Sequence, residues 1–414
     1  MAPDDNRTLD VVVFGATGFT GRLVCEYLAI HAPKSLKWAL AGRSRGKLGR
    51  LRGELSSRWP AVAEVPIVIA DSFDVDSLKA MAKKTRVVCT TVGPYATYGD
   101  LLVAACAEQG TDYCDLTGET TFIRATIDRH HDAATASGAR IVHCYGFDSI
   151  PSDLGTCVLQ DHALRTYDQP AGEVTLYLWG SKGGISGGTL ASMTTMMDAA
   201  RADPSVRKLL FDPYGLNPEG QRQGPDGRDL MGAEYDAAIG AWVGPFIMAG
   251  INTRVVRRTN ALLDYRYGRQ FRYREVVRFG RGLKGRATAT GFSLAMGAAM
   301  GAMAVPQLRG VVSRWLPDSG EGPDEQTREQ GFFECRVVGT VSGHAITVIV
   351  RGEKDPGYGA TAIMLAESAM CLAKDRSKTP KTSGITTPAA SMGMVLVDRL
   401  RTAGMTFAVD SSAP

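Results

Sequence analysis

The stretch Leu9-Asp10-Val11-Val12-Val13-Phe14-Gly15-Ala16-Thr17-Gly18-Phe19-Thr20-Gly21 decides how this chain is read. Its first six residues form a short apolar, β-branched run, the pattern of a strand buried on both faces of a parallel sheet. Glycines follow at once, and Leu23, Tyr27 and Leu28 then fall at helical spacing, so the segment reads as strand, glycine-rich turn and helix. Similar units recur. Apolar runs at Trp38–Ala41, Val65–Ala70, Arg86–Val92 and Arg140–Cys144 alternate with helical patterns at Arg45–Arg58, Asp74–Lys83, Leu101–Gln109 and Thr121–Ser137. Strands and helices alternating at short intervals specify an α/β fold, a Rossmann-like doubly wound parallel sheet, expected over residues 1–150.

The texture changes beyond Pro151. Glu173–Trp179 and Phe271–Phe279 alternate by twos, and Phe332–Val341 with Ala345–Arg351 reads as a hairpin across Ser342-Gly343. A second α+β domain with a mixed or antiparallel sheet is therefore expected over 151–355, its strands read as antiparallel. Pro213–Gly232 and Pro317–Gly331 are rich in Gly, Pro and charge; the first reads as a lid, the second as a mobile acidic loop. Residues 356–414 carry helical patterns at Tyr358–Lys374 and Ala389–Leu400, expected to pack back on the first domain.

Composition excludes several classes of function. The chain has 414 residues, 44% hydrophobic and 22% charged, which is ordinary for folded protein and rules out disorder throughout. A net charge of +4 is too small to imply nucleic-acid binding, and no such motif accompanies it. The eight Cys are dispersed without CxxC or zinc spacing, so no disulfide framework and no metal is expected. The opening MAPDDNRTLD lacks the basic start and apolar run of a secretory signal, and a reducing cytoplasm is the expected setting.

The glycine turn points to a dinucleotide. Gly15, Gly18 and Gly21, with Thr17, Phe19 and Thr20 between them, would let the backbone approach a pyrophosphate at a helix N-terminus. About 20 residues on, where an NAD enzyme presents an acid to the ribose, stands Arg43 followed by Ser44. A guanidinium fork suits a 2′-phosphate, so NADP is the expected cofactor. Asp71, Thr91, Gly93, Pro94 and Tyr95 fall at the carboxyl ends of the third and fourth strands; Asp71 is assigned to the adenine end and the Gly93-Pro94-Tyr95 turn to the nicotinamide. The pair Tyr-x-x-x-Lys of short-chain dehydrogenases is missing. Gly184-Ile185-Ser186-Gly187-Gly188 matches GxSxG but lies far from any parallel-strand end, and the adjacent His130 and His131 read as solvated. Candidate catalytic groups are Tyr145, Asp148 and Glu119, in polar segments at strand ends, as donors to an oxyanion or as a proton source. The plainer reading of the neighbouring Ser152 and Asp153 is as caps of the helix that follows.

Taken in order, GATGFTG, LAGRS, TTVGPY, YCDLTGE, GFDSIPSDLG and DPGYGATAIMLAESA resemble the saccharopine dehydrogenase-like oxidoreductases, and most of all the mycobacterial trans-acting enoyl reductases. The resemblance implies a Rossmann domain, a second mixed-sheet domain, and an NADPH-dependent reductase supplying enoyl reduction in trans to a polyketide synthase of the phthiocerol and phenolphthiocerol type. It places Gly15, Gly18, Gly21 and Arg43 in the cofactor site and carries over no catalytic residue. Two other readings stay open: an imine or aldehyde reductase, and a lipid-associated protein that binds NADP without catalysis.

Two features fit a lipid pathway. Arg254–Arg286 is crowded with Arg and reads as a basic field for an acyl carrier protein, a polyketide synthase or an anionic membrane, with a solvated, internally paired face as the plainer alternative. Ala287–Val305 is uncharged and near the length of a membrane span, but its Ala, Gly and Met content equally suits an interfacial helix at the inner face of the plasma membrane or a buried one. A homo-oligomer is compatible with all of this.

Overall fold

The computed structural model describes residues 7–183, 187–305, 307 and 322–410. The chain divides into two compact units, one of Met1–Ile150, Gly320–Gly322 and Gly357–Gly404, the other of Pro151–Ser319, Pro323–Pro356 and Met405–Pro414. The return of Gly357–Gly404 makes the first unit discontinuous in sequence.

In the first unit, β1 (Leu9–Phe14), α1 (Phe19–His31), β2 (Trp38–Gly42), α2 (Arg45–Arg58), β3 (Ile67–Ile69), α3 (Val75–Lys83), β4 (Thr85–Thr90), α4 (Tyr95–Tyr98), α5 (Asp100–Gln109), β5 (Asp112–Cys114), α6 (Thr120–Ser137) and β6 (Arg140–Val142) alternate as the periodicity requires. Every residue of β1 is buried, as a central parallel strand demands. The later segment adds a helix at Gly359–Lys374, a seventh strand at Gly384–Thr386 and helices at Pro388–Ser391 and Gly393–Thr402. The seven strands are all parallel, and β1 lies between β2 and β4, which puts the topological switch point at the β1–β4 boundary.

The Gly359–Lys374 helix is buried along most of its length against β1, β4, β5 and α1. Polar ties fix it: Glu367 accepts the Tyr27 hydroxyl at 2.8 Å and Arg399 Nε at 2.9 Å, while Lys374 Nζ reaches Asp10 at 2.7 Å. The Gly384–Thr386 strand was not legible as a strand; His131, read as solvated, accepts its Ile385 amide through Nδ1 at 3.1 Å. His130 likewise faces Asp100 at 2.9 Å.

The second unit contains α7 (Ile150–Tyr167), β7 (Glu173–Lys182), α8 (Gly187–Ala202), α9 (Pro204–Phe211), β8 (Glu234–Asp236), β9 (Ala241–Pro245), α10 (Ala249–Leu262), β10 (Arg272–Gly280), α11 (Gly282–Ala304), α12 (Glu325–Glu329), β11 (Phe332–Val341) and β12 (His344–Gly352). A last strand at Thr406–Val409 pairs with β12. The expected hairpin across Ser342-Gly343 is present. The strands read as antiparallel need one correction: β7 and β10 pair parallel, because the helices and strands between them give the chain a crossover long enough to return in the same direction.

Other expectations shift as well. Ser152 and Asp153 lie inside α7, since the helix begins at Ile150, and Asp153 accepts the Thr259 hydroxyl of α10 instead of capping. Pro213–Gly232, read as a lid, is fastened to α10: Asp226 pairs with Arg257 at 2.8 Å and Asp229 with Arg254 at 2.9 Å. Of the acidic loop, residues 317–321 lie outside the described residues, and the rest includes α12, capped by Asp324. Gly184, Ile185 and Ser186 of the GxSxG match also lie outside them.

Helix α7 sits on β11 and β12 through Gly155, where a Cβ would come within 2.9 Å of both Val337 Cγ2 and Val350 Cγ2. Valine is stiff at χ1 and cannot swing aside cheaply. Gly155→Ala is therefore expected to lower stability by about 1–3 kcal/mol despite alanine's better helix propensity, read as a lower urea midpoint at unchanged slope.

Candidate cofactor and active site

At the carboxyl end of β1 the chain turns through Gly15 with φ +88°, a left-handed conformation that favours glycine. A Cβ there would lie 2.7 Å from Val92 Cγ2, and one on Gly21 only 2.2 Å from the Gly15 carbonyl oxygen, so helix α1 starts directly over the turn. The Gly18 amide donates to that carbonyl at 2.9 Å and the Thr91 hydroxyl at 3.3 Å. No side chain caps α1 at Gly18, and Thr17 and Gly18 are exposed. The positive end of a helix dipole thus opens on solvent at the switch point, which fits a pyrophosphate. Phe19 packs edge-on against Tyr358, ring centres 4.8 Å apart.

Arg43, at the end of β2, is exposed and makes no hydrogen bond or ion pair to the described residues. It neither caps a helix nor meets a carboxylate, which leaves its fork available to a 2′-phosphate. Ser44 is the cap: its Oγ accepts the Lys47 amide at the start of α2. Asp71, after β3, spends Oδ1 on the Phe73 amide at 3.0 Å. The Gly93-Pro94-Tyr95 turn is held from beneath, Tyr95 being buried with its hydroxyl donating to the Thr90 carbonyl at 3.2 Å. A phosphate cradle, an uncommitted guanidinium and an absent ribose-binding acid together fit NADP.

The three catalytic candidates separate by environment. Glu119 is buried, and its carboxylate accepts the Tyr95 amide at 2.9 Å and the Ala96 amide at 2.7 Å, fixing the turn at the end of β4. Tyr145 is wholly buried with its hydroxyl 3.5 Å from Ser391 Oγ, and burial pushes its phenol well above the ordinary value. Asp148 alone is partly exposed and has no hydrogen bond or ion pair to another described side chain. Burial first, then the negative charge of Asp115, push its carboxyl up to about 7.

Residues beyond the sequence candidates fix the backbone that leads to Asp148. Asp115 accepts Tyr113 Oη–H at 2.8 Å, His143 Nδ1 at 2.7 Å and the Thr117 and Cys144 amides at 3.1 and 3.2 Å, while its carbonyl takes the Tyr145 amide. Thr361, on the Gly359–Lys374 helix, accepts the Phe147 amide at 2.9 Å. His143 and Thr361 were missed, because a lone histidine at a strand end and a threonine within an apolar helix carry no local signal of a partner so far away in sequence.

The comparisons agree with this geometry. Residues 11–142 match the model of the saccharopine dehydrogenase NADP-binding domain. A Mycobacterium tuberculosis protein, provisionally named a trans-acting enoyl reductase, is 42% identical over 97% of both chains. The chain belongs to the saccharopine dehydrogenase-like family. Trans-acting enoyl reductases of Mycobacterium bovis and Mycobacterium leprae are 40% and 39% identical, each over 98% of both chains. Saccharopine dehydrogenase from Saccharomyces cerevisiae shares the fold, with a TM-score of 0.54 at 13% identity over 97% of this chain and 99% of that one. The first unit is an NADP-binding domain, and the protein is an oxidoreductase of that family.

Arg43 is the candidate for recognising the 2′-phosphate. Arg43→Ala is expected to weaken NADPH about 10- to 100-fold, the worth of a charge-assisted fork of about 1.5–3 kcal/mol, and to leave NADH nearly unchanged, read by titration of cofactor fluorescence.

Proposed function

We propose that this protein is a trans-acting enoyl reductase, working in the cytoplasm on an α,β-unsaturated acyl thioester made by a polyketide synthase for lipids of the phthiocerol and phenolphthiocerol type. The observation that supports it most is near-end-to-end identity with proteins bearing that name, which spans both units and not the cofactor domain alone. NADPH, when bound, supplies the hydride. Gly15, Thr17, Gly18, Phe19, Thr20 and Gly21 would hold its phosphates and Arg43 its 2′-phosphate, with Asp71 and the Gly93-Pro94-Tyr95 turn at the strand ends beyond.

Reduction of an enoyl thioester adds a hydride at the β-carbon and a proton at the α-carbon. Asp148 suits the second task, since a carboxyl still protonated near neutral pH is a competent acid. Glu119 acts by holding the Tyr95 and Ala96 amides, and Tyr145 by filling the interior behind the loop. The test is NADPH oxidation with a long-chain 2-enoyl thioester on a carrier protein and, in parallel, on pantetheine. Turnover supports the reading; cofactor binding with turnover only on imines, or on nothing, overturns it.

The sign of the pH dependence follows from Asp148. An ordinary aspartate loses its proton near 4, whereas here it is kept to about 7, so the acid is present below pH 7 and lost above it. The rate of the chemical step is expected to fall as pH rises through about 7, and Asp148→Asn to cost about 100-fold or more and flatten that limb. Between pH 4 and 7 the folded state holds the extra proton, so stability falls as pH rises; the Asn variant is expected to be at least as stable as the parent at pH 8, which separates a catalytic loss from a folding one.

The basic segment is largely consumed inside the second unit. Arg254, Arg257 and Arg258 are buried in α10, and Arg274 pairs with Glu234 at 2.8 Å and Asp236 at 2.7 Å. What stays exposed up to the first residue of β10 is Arg266, Arg269 and Arg272, with Arg266 3.6 Å from Asp161 and Arg272 3.9 Å from Glu173 as loose, solvent-facing pairs. We assign carrier-domain docking to this group, whose guanidinium groups suit an acidic surface and a phosphopantetheine phosphate. Arg269→Glu with Arg272→Glu is expected to raise KM for the carrier-bound substrate about tenfold and leave the pantetheine substrate unchanged.

A further inference from the structure

Helix α11 buries little of itself. Gly285, Ala289, Ser293 and Met303 are its buried residues, and the first three recur at every fourth position on the side that meets β9, where the missing side chain of Gly244 makes room for Ser293. Beside that stripe the helix also meets β10, where Phe292 packs on Phe279 with ring centres 5.0 Å apart, and α8; the face opposite is open. Leu283 is 83% exposed and Leu294 70%, Phe292 and Val305 are also exposed, and nothing lies within 4 Å of where a side chain would start at Gly291, Gly297 or Gly301. From Ala287 to Ala304 the helix carries no charge, a length of roughly 27 Å at the rise of an α-helix.

Charge is confined to one end. Arg281, Lys284 and Arg286 are all exposed at the N-terminal turns, and the nearby acids of β8, Glu234 and Asp236, are already taken by Arg274. A cationic collar beside a long uncharged face matches a lipid–water interface whose phosphates are negative. The helix is too short of large aliphatic residues to cross a bilayer, and among the described residues no helix is long and apolar enough to do so. We propose that α11 lies in the plane of an anionic membrane surface, Leu283 and Leu294, which share the face opposite the buried stripe, entering the headgroup–acyl boundary and Arg281, Lys284 and Arg286 meeting lipid phosphates. Such a seat would hold the reductase where a greasy product is handed on.

The proposal stands apart from the hydride chemistry and is tested on the full chain by co-sedimentation with vesicles of phosphatidylcholine alone and of phosphatidylcholine with phosphatidylglycerol. Retention is expected on the anionic vesicles only, weakening as salt rises. Lys284→Glu, which reverses one charge near the surface, is expected to lower partitioning about tenfold, and Leu294→Glu by at least as much. NADPH binding by both variants should equal that of the parent, showing that the fold is kept. Absent retention, equal retention on both vesicle types, or a dimer in light scattering that Leu294→Glu splits while vesicles go unbound would overturn the proposal, the last in favour of a second copy on this face. Turnover on pantetheine substrate is measured in the same preparations, so a failed reductase reading and a failed membrane reading give different results.

Discussion

The carbonyl oxygen of Gly15 occupies the point where β1, β4 and α1 converge. Thr91 and Gly18 both donate to it, and the Gly21 position approaches it to a distance that no Cβ could share. That closeness fixes where α1 begins, and so where its unsatisfied amides and dipole are aimed. It also brings the end of β4 beside the end of β1, which places the Gly93-Pro94-Tyr95 turn, the Asp115 loop and the Asp148 loop along one edge of the sheet in strand order. A ligand laid across that edge would meet the Gly15 turn first and Asp148 last.

Three carboxylates on this edge have been put to different uses by their surroundings. Asp115 and Glu119 are deeply buried and saturated with donors, so each acts as a clamp: one closes the loop after β6, the other the turn after β4. Asp148 lacks such donors and lies within reach of the field of Asp115. Its own amide is the one donor that favours the charged form, too little to offset the loss of water around the carboxylate, so the proton is kept. The clamp that orders the loop thus adds its charge to the larger effect of burial in keeping Asp148 protonated.

Much of the fold was legible because its signals are local. Leu9–Gly21 spells out strand, turn and helix within thirteen consecutive residues, and Ser342-Gly343 spells out a hairpin. What escaped depends on partners distant in sequence. The arginines of α10 looked like a basic surface because Asp226 and Asp229, which neutralise them, lie in a Gly- and Pro-rich stretch with no periodicity of its own. The direction of β7 against β10 is set by the length of chain between them, not by the alternation within either strand. At the site, the glycines and Arg43 could be chosen from spacing, whereas ranking Tyr145, Glu119 and Asp148 needed their burial and their donors, which no window of sequence contains.

The Gly359–Lys374 helix has a consequence for how the chain comes off the ribosome. It covers β1, β4 and β5, yet residues 151–356 are made between β6 and its arrival. At about 5–20 residues per second, the nascent sheet waits some 10–40 s with that face bare. During this interval it is an apolar surface in need of a chaperone or of slow, reversible collapse. A chain stopped anywhere between Tyr95 and Gly359 would carry every residue assigned to the cofactor and still have no cover for the strands that position them.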